Sequence, residues 1–101
     1  MATYIMLINY TEQGIKNFEE SPKRQEVTRE MARKFGVEMK DIYLTMGIYD
    51  FVAVADAADD QAVAKLALSL GALGNVRTIT LRAFTETEFR DIVGGLGPSG
   101  S

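Results

Sequence analysis

A chain of 101 residues, 47% hydrophobic and 25% charged, has the make-up of one compact domain with one core, which excludes separate cofactor and substrate lobes. Eleven Lys and Arg against fourteen Asp and Glu leave a net charge of -3, the wrong sign for duplex nucleic acid or an anionic membrane surface. With neither His nor Cys, the chain lacks the usual zinc ligands, a His-assisted nucleophile, an iron–sulfur site and any disulfide, so no metal and no cofactor is expected.

Met1–Tyr10 has an apolar run without a basic leader or small-residue cleavage site, and no stretch reaches the ~20 apolar residues that span a bilayer. A cytoplasmic location is expected. Thr3–Tyr10 (TYIMLINY) is dense in large apolar residues and predicts a strand. Ser21 as N-cap, Pro22 at the first helical position, Val27, Met31 and Phe35 at four-residue spacing and Gly36 as terminator predict the first helix. Lys23, Arg24, Arg29, Arg33 and Lys34 on that helix are interleaved with Glu26 and Glu30, the pattern of a solvated face.

Asp41–Met46 and Phe51–Ala57, joined by Gly47-Ile48-Tyr49-Asp50, predict a hairpin. Asp59 and Asp60 favour a helix N-terminus, and Val63, Leu66, Ala67 and Leu70 carry the apolar stripe of a second helix ending near Gly74. Val76–Phe84 predicts a fourth strand. Thr85 with Glu88 forms a capping box for a short final helix striped by Phe89, Ile92 and Val93. The domain is expected over residues 1–93, followed by a flexible Gly/Ser-rich tail at 94–101.

This order is strand, helix, strand, strand, helix, strand. Right-handed crossovers and short connections then give an α+β, ferredoxin-like βαββαβ fold: an antiparallel sheet in the order 4-1-3-2, both main helices on one face and a C-terminal helical extension. Alternation assigns Met6, Ile8, Ile42, Leu44, Met46, Phe51, Ala53, Ala55, Ile79 and Leu81 to the helix side. Ile5, Leu7, Asn9, Tyr43, Thr45, Asp50, Val52, Val54, Val76, Thr78, Thr80, Arg82 and Phe84 fall on the other side. That second face is too apolar along its central strands for water, so a second copy is expected to cover it, in a homodimer or higher homo-oligomer closed as a two-chain barrel. The polar residues of the face would then line an inter-sheet cavity of the kind that binds a small organic molecule.

Gly47-Ile48-Tyr49-Asp50 with Phe51–Ala57, then Leu73-Gly74-Asn75-Val76-Arg77-Thr78 and Leu81-Arg82-Ala83-Phe84, resembles the GYD domain family over roughly Thr3 to Phe89. The resemblance implies a dimeric alpha+beta barrel. Structural relatives of that family include cofactor-independent monooxygenases, muconolactone-isomerase-like enzymes, haem-degrading proteins and ligand-sensing regulator domains, so the family implies no single activity.

Asp50 as base, Tyr49 as donor and Arg82 as anion stabiliser are the catalytic candidates; Asn9, Tyr43, Thr45, Thr78 and Thr80 are candidate ligand-binding groups. Each has a structural role beside the chemical one. Asp and Gly build turns, Arg82 can be consumed in an ion pair, and Thr and Tyr are good strand residues. Three functions remain open: a small-molecule binder, a cofactor-independent enzyme acting on a carbonyl or phenolic substrate, and a structural assembly module.

Overall fold

Period-2 alternation is written into the burial of the first strand. In a computed structural model that describes residues 1–98, β1 (Ala2–Tyr10) buries Tyr4, Met6 and Ile8 and leaves Ile5, Leu7 and Asn9 partly open. The last three residues of the expected tail, 99–101, lie outside the described residues. After β1 come α1 (Glu12–Lys16), a 3-10 turn at Phe18–Glu20, α2 (Ser21–Lys34), β2 (Val37–Leu44), β3 (Phe51–Ala57), α3 (Asp60–Leu73), β4 (Val76–Ala83) and α4 (Glu86–Gly94). The four strands form one antiparallel sheet in the order β2-β3-β1-β4, the expected ferredoxin-like arrangement.

The core lies between the sheet and the helices α2 and α3. Met6, Leu66 and Val37 are its largest fully enclosed side chains, with Ala53, Ala55 and Ala57 of β3 letting the helices approach closely. Burial of each such large side chain contributes about 1.5–3 kcal/mol. The second long helix begins where its sequence says: the Asp59 side chain accepts from the Ala62 N–H at 3.0 Å, and Gly74 closes the helix in the left-handed region at φ 82°.

The path into α2 differs from expectation. Thr11 caps a short helix, α1, and the 3-10 turn runs straight into α2, so Ser21 is already helical at φ -55° and ψ -43°. An N-cap needs an extended backbone, which Ser21 lacks. The residue before it, Glu20, is also helical at φ -84° and ψ -4° and makes no side-chain cap bond, so α2 continues the preceding turn without a cap. The Ser21 hydroxyl instead pairs with the Tyr10 hydroxyl at 2.6 Å.

In β2, Gly36 at φ 78° ends the helix and the strand starts at once, four residues before the expected Asp41. A register shift between Met39 and Asp41 puts Val37 and Met39 on the same face as Ile42, breaking the alternation. The strand stops at Leu44, which is 74% exposed, and Met46 in the following turn is fully exposed, so neither sits under the helices as their parity suggested.

The faces of β4 are reversed. Its register pairs Thr80 with Met6 and Arg82 with Tyr4, whereas Ile79 pairs with Leu7 and Leu81 with Ile5. Paired residues share a face, so Val76, Thr78, Thr80 and Arg82 belong to the helix side and Ile79 and Leu81 to the open side, the opposite of the expected assignment. The inversion has a physical cause: β4 is an edge strand only partly roofed by α3, so its helix-side positions tolerate polar residues, with Thr80 and Arg82 both exposed.

Beyond β4 the chain leaves the body. The Thr85 hydroxyl accepts the Glu88 N–H at 3.1 Å and the Glu88 carboxylate accepts the Thr85 N–H at 2.9 Å, completing the expected capping box. Among the described residues α4 makes no extended packing against any other element. The molecule is accordingly elongated, 55 × 31 × 18 Å, with a radius of gyration of 15.8 Å where a compact chain of this length has about 13 Å.

Candidate functional site

Corrected for register, the open sheet face is an ordered set of rows running β4-β1-β3-β2. Leu81, Ile5, Val54 and Asp41 form one row, and Ile79, Leu7, Val52 and Tyr43 the next. Polar rows flank them: Ala83, Thr3, Asp56 and Glu38 on one side, with Arg77 and Asn9 at the other end. Six aliphatic side chains thus form a continuous band with polar borders. Moving Ile79 and Leu81 onto this face and Thr78, Thr80 and Arg82 off it makes the band more apolar than the sequence suggested.

The hairpin end of that face is fixed by its backbone. The Asp50 carboxylate accepts the Tyr10 N–H at 2.8 Å, while the Asp50 N–H donates to the Ile8 carbonyl at 2.9 Å and to the Asn9 side-chain oxygen at 3.1 Å. The Thr45 hydroxyl donates to the Tyr49 carbonyl at 2.7 Å. Asn9, Thr45 and Asp50 therefore meet, but they meet to hold the turn. Tyr43 stands nearby, 56% exposed, with no hydrogen-bond partner for its hydroxyl among the described residues.

Arg82 is elsewhere. It pairs with Tyr4, six residues along β1 from Tyr10, so it lies roughly 20 Å from Asp50 and on the opposite face. The expected grouping of Asp50, Tyr49 and Arg82 does not form within one chain.

Around Arg82 is a cleft that sequence reasoning missed, between the edge of β4 and the first turns of α3, with an apolar wall and a few polar groups at its rim. Tyr4, Asp60, Val63, Ala64, Ala67, Thr80 and Arg82 line a volume of about 290 Å³. The Tyr4 hydroxyl donates to the Asp60 carboxylate at 2.5 Å, and this bond raises the Tyr4 pKa above its usual value, with burial adding to the effect. The Arg82 guanidinium stacks 4.4 Å from the Phe84 ring centre and 5.7 Å from that of Tyr4. The Tyr4-to-Asp60 link joins two residues 56 positions apart, and no local spacing announces it.

A third feature is α4, whose Phe89, Ile92 and Val93, with Leu96 beyond, are all exposed. Among the described residues no group of three or more His, Cys, Asp or Glu is placed to hold a metal ion, and no helix is long and apolar enough to cross a membrane.

The GYD domain profile matches residues 4–93, from the buried Tyr4 through the hairpin to the end of the α4 stripe. The chain belongs to the GYD domain family. It is 40% identical over 84 residues, 82% of this chain and 88% of the other, to a Thermus thermophilus protein named glutamine synthetase and cystathionine beta-lyase binding protein. In fold it is similar to the crystal structure of TTHA0845 from Thermus thermophilus, with a TM-score of 0.53 and 24% identity over 84% of this chain and 95% of that one. In this GYD protein the Gly-x-Tyr-Asp turn has a clear structural role, since Gly47 takes φ 117° and Asp50 ties the turn to β1.

Proposed function

We propose that this GYD protein is a homodimeric binding module whose partners are proteins rather than a reacting substrate. The observation that carries the reading is the aliphatic band Ile5, Leu7, Val52, Val54, Ile79 and Leu81, which lies on the face away from both long helices. A second copy is the occupant that fits: a two-fold axis brings the same apolar band and the same polar borders into register with themselves, closing a barrel across two chains. The α4 stripe is then the surface left for another protein, an amphipathic helix offered to a groove. Similarity to a chain named for binding glutamine synthetase and cystathionine beta-lyase makes such an enzyme the partner to test.

Light scattering should give twice the chain mass at micromolar concentration, and Leu7→Asp should give the monomer. Tagged protein should retain purified glutamine synthetase or cystathionine beta-lyase, and Phe89→Asp with Ile92→Asp should abolish capture without changing the dimer. A monomeric wild type would remove the basis of the proposal.

A small organic molecule held between the two sheets is the second reading, favoured by the unpartnered Tyr43 hydroxyl beside the aliphatic band. Saturable stabilisation by phenols or carboxylic acids that disappears in Tyr43→Phe would support it. The cofactor-independent enzyme loses ground because Asp50 is engaged by the Tyr10 amide and Arg82 is on the far face.

A further inference from the structure

We infer that the cleft between β4 and α3 is a binding site for a small zwitterion carrying both an ammonium and a carboxylate group, the chemistry of a free amino acid. The site presents one anion and one cation that do not neutralise each other: among the described residues Asp60 and Arg82 form no ion pair with each other or with any other side chain. Both line the same 290 Å³ cleft, which opens into a wider lobe bordered by Ala2, Ala58, Asp59 and Gln61.

Each charge is held in place yet has capacity to spare. Tyr4 donates to one oxygen of Asp60, which orients the carboxylate and leaves its second oxygen free to accept. Arg82 uses only Nη1 to donate to the Thr3 and Ala83 carbonyls, so Nη2 and Nε keep their donors, and the Phe84 and Tyr4 rings fix the plane of the guanidinium. A ligand carboxylate fits the remaining fork of Arg82, and a ligand ammonium fits the free oxygen of Asp60. Thr80 adds a hydroxyl, while Val63, Ala64 and Ala67 provide a small apolar wall against which a short side chain can rest. The volume lies at the lower edge of ordinary ligand pockets, which suits a metabolite of amino-acid size.

The test is calorimetric titration of the whole chain with L-alanine, β-alanine and 4-aminobutyrate, which vary the spacing of the two charges, and with acetate and methylammonium, which carry one charge each. At least one zwitterion is expected to bind saturably, at least about tenfold more tightly than either half-ligand. Arg82→Gln and Asp60→Asn should each weaken it by about tenfold or more, the asparagine retaining an acceptor for Tyr4 so that the fold persists. Ala64→Leu, which narrows the cleft and leaves both charges in place, should also weaken it. Absence of saturable binding by all three zwitterions up to ~10 mM, or binding unchanged in Arg82→Gln, overturns the proposal. Neither result depends on the oligomeric state or on capture of an enzyme.

Discussion

The Asp50 carboxylate accepts the Tyr10 backbone N–H at 2.8 Å across 40 positions of sequence, pinning the hairpin turn to the end of β1. A charge-assisted bond of this kind is stronger than a neutral one, and its loss leaves a partly buried amide without a partner. Asp50→Ala should therefore cost about 1–3 kcal/mol of stability, whereas Asp50→Asn, which keeps an acceptor, should cost less. Thermal and urea melts of the two variants check the order, and equal melts would remove this role from Asp50.

That bond also marks the limit of what could be read from residues alone. The Gly-x-Tyr-Asp segment was legible as a turn because its residue types are turn formers, yet the partner of Asp50 was not, because strand pairing is long-range. Strand order was legible from the order of elements and the rules for short, right-handed connections, and α3 and the capping box of α4 from local periodicity and capping chemistry. The faces of β4 were not. Alternation separates Thr78, Thr80 and Arg82 from Ile79 and Leu81 but does not say which set faces the helices; that is decided by pairing with Met6 and Tyr4. The rule that apolar residues face the helices fails here because the opposite face is itself apolar. The start of β2 was hidden by the break at Met39 and Asp41, where a bulge interrupts the period that identifies a strand.

Gly14 has no room for a side chain. A Cβ placed there would lie 1.9 Å from the Asn75 carbonyl oxygen, a backbone atom that also accepts the Thr11 N–H at 3.0 Å. The Thr11 hydroxyl donates to the Gly74 carbonyl at 2.5 Å, so α1 is clamped against the turn between α3 and β4 and cannot retreat. Gly14→Ala should lower stability by about 1–3 kcal/mol despite the higher helix propensity of alanine, as read from a urea melt. Gly71→Ala, inside α3 with open space around it, should raise stability by up to about 1 kcal/mol.

The capping box of α4 gives a pH dependence. The Thr85 N–H donates to the Glu88 carboxylate, and this bond holds the Glu88 pKa below its ordinary 4.5. A depressed folded-state value means that the stabilisation is present above the unfolded pKa and is lost as pH falls through the lower, folded one. Helix α4 should stay capped down to pH 4.5 and fray below it, with the Thr85 amide resonance reporting the transition. Glu88→Gln should remove the transition, and a Thr85 amide titrating at the ordinary glutamate value would contradict the bond.

The Tyr4 hydroxyl offers the complementary case at high pH. Its donation to Asp60, beside a carboxylate that repels the tyrosinate, raises its pKa above 10.0. The folded chain therefore holds this proton more tightly than the unfolded chain. The contribution to stability is complete below the unfolded value of 10.0 and disappears as pH rises through the folded one. Ultraviolet titration should show a tyrosinate signal that develops above the range of free tyrosine and is absent in Tyr4→Phe. Asp60→Asn removes the charge but keeps an acceptor, so it should move that signal back toward the ordinary value. An unmoved signal in Asp60→Asn would mean that burial rather than the carboxylate controls Tyr4, and that Asp60 is not held against it in solution.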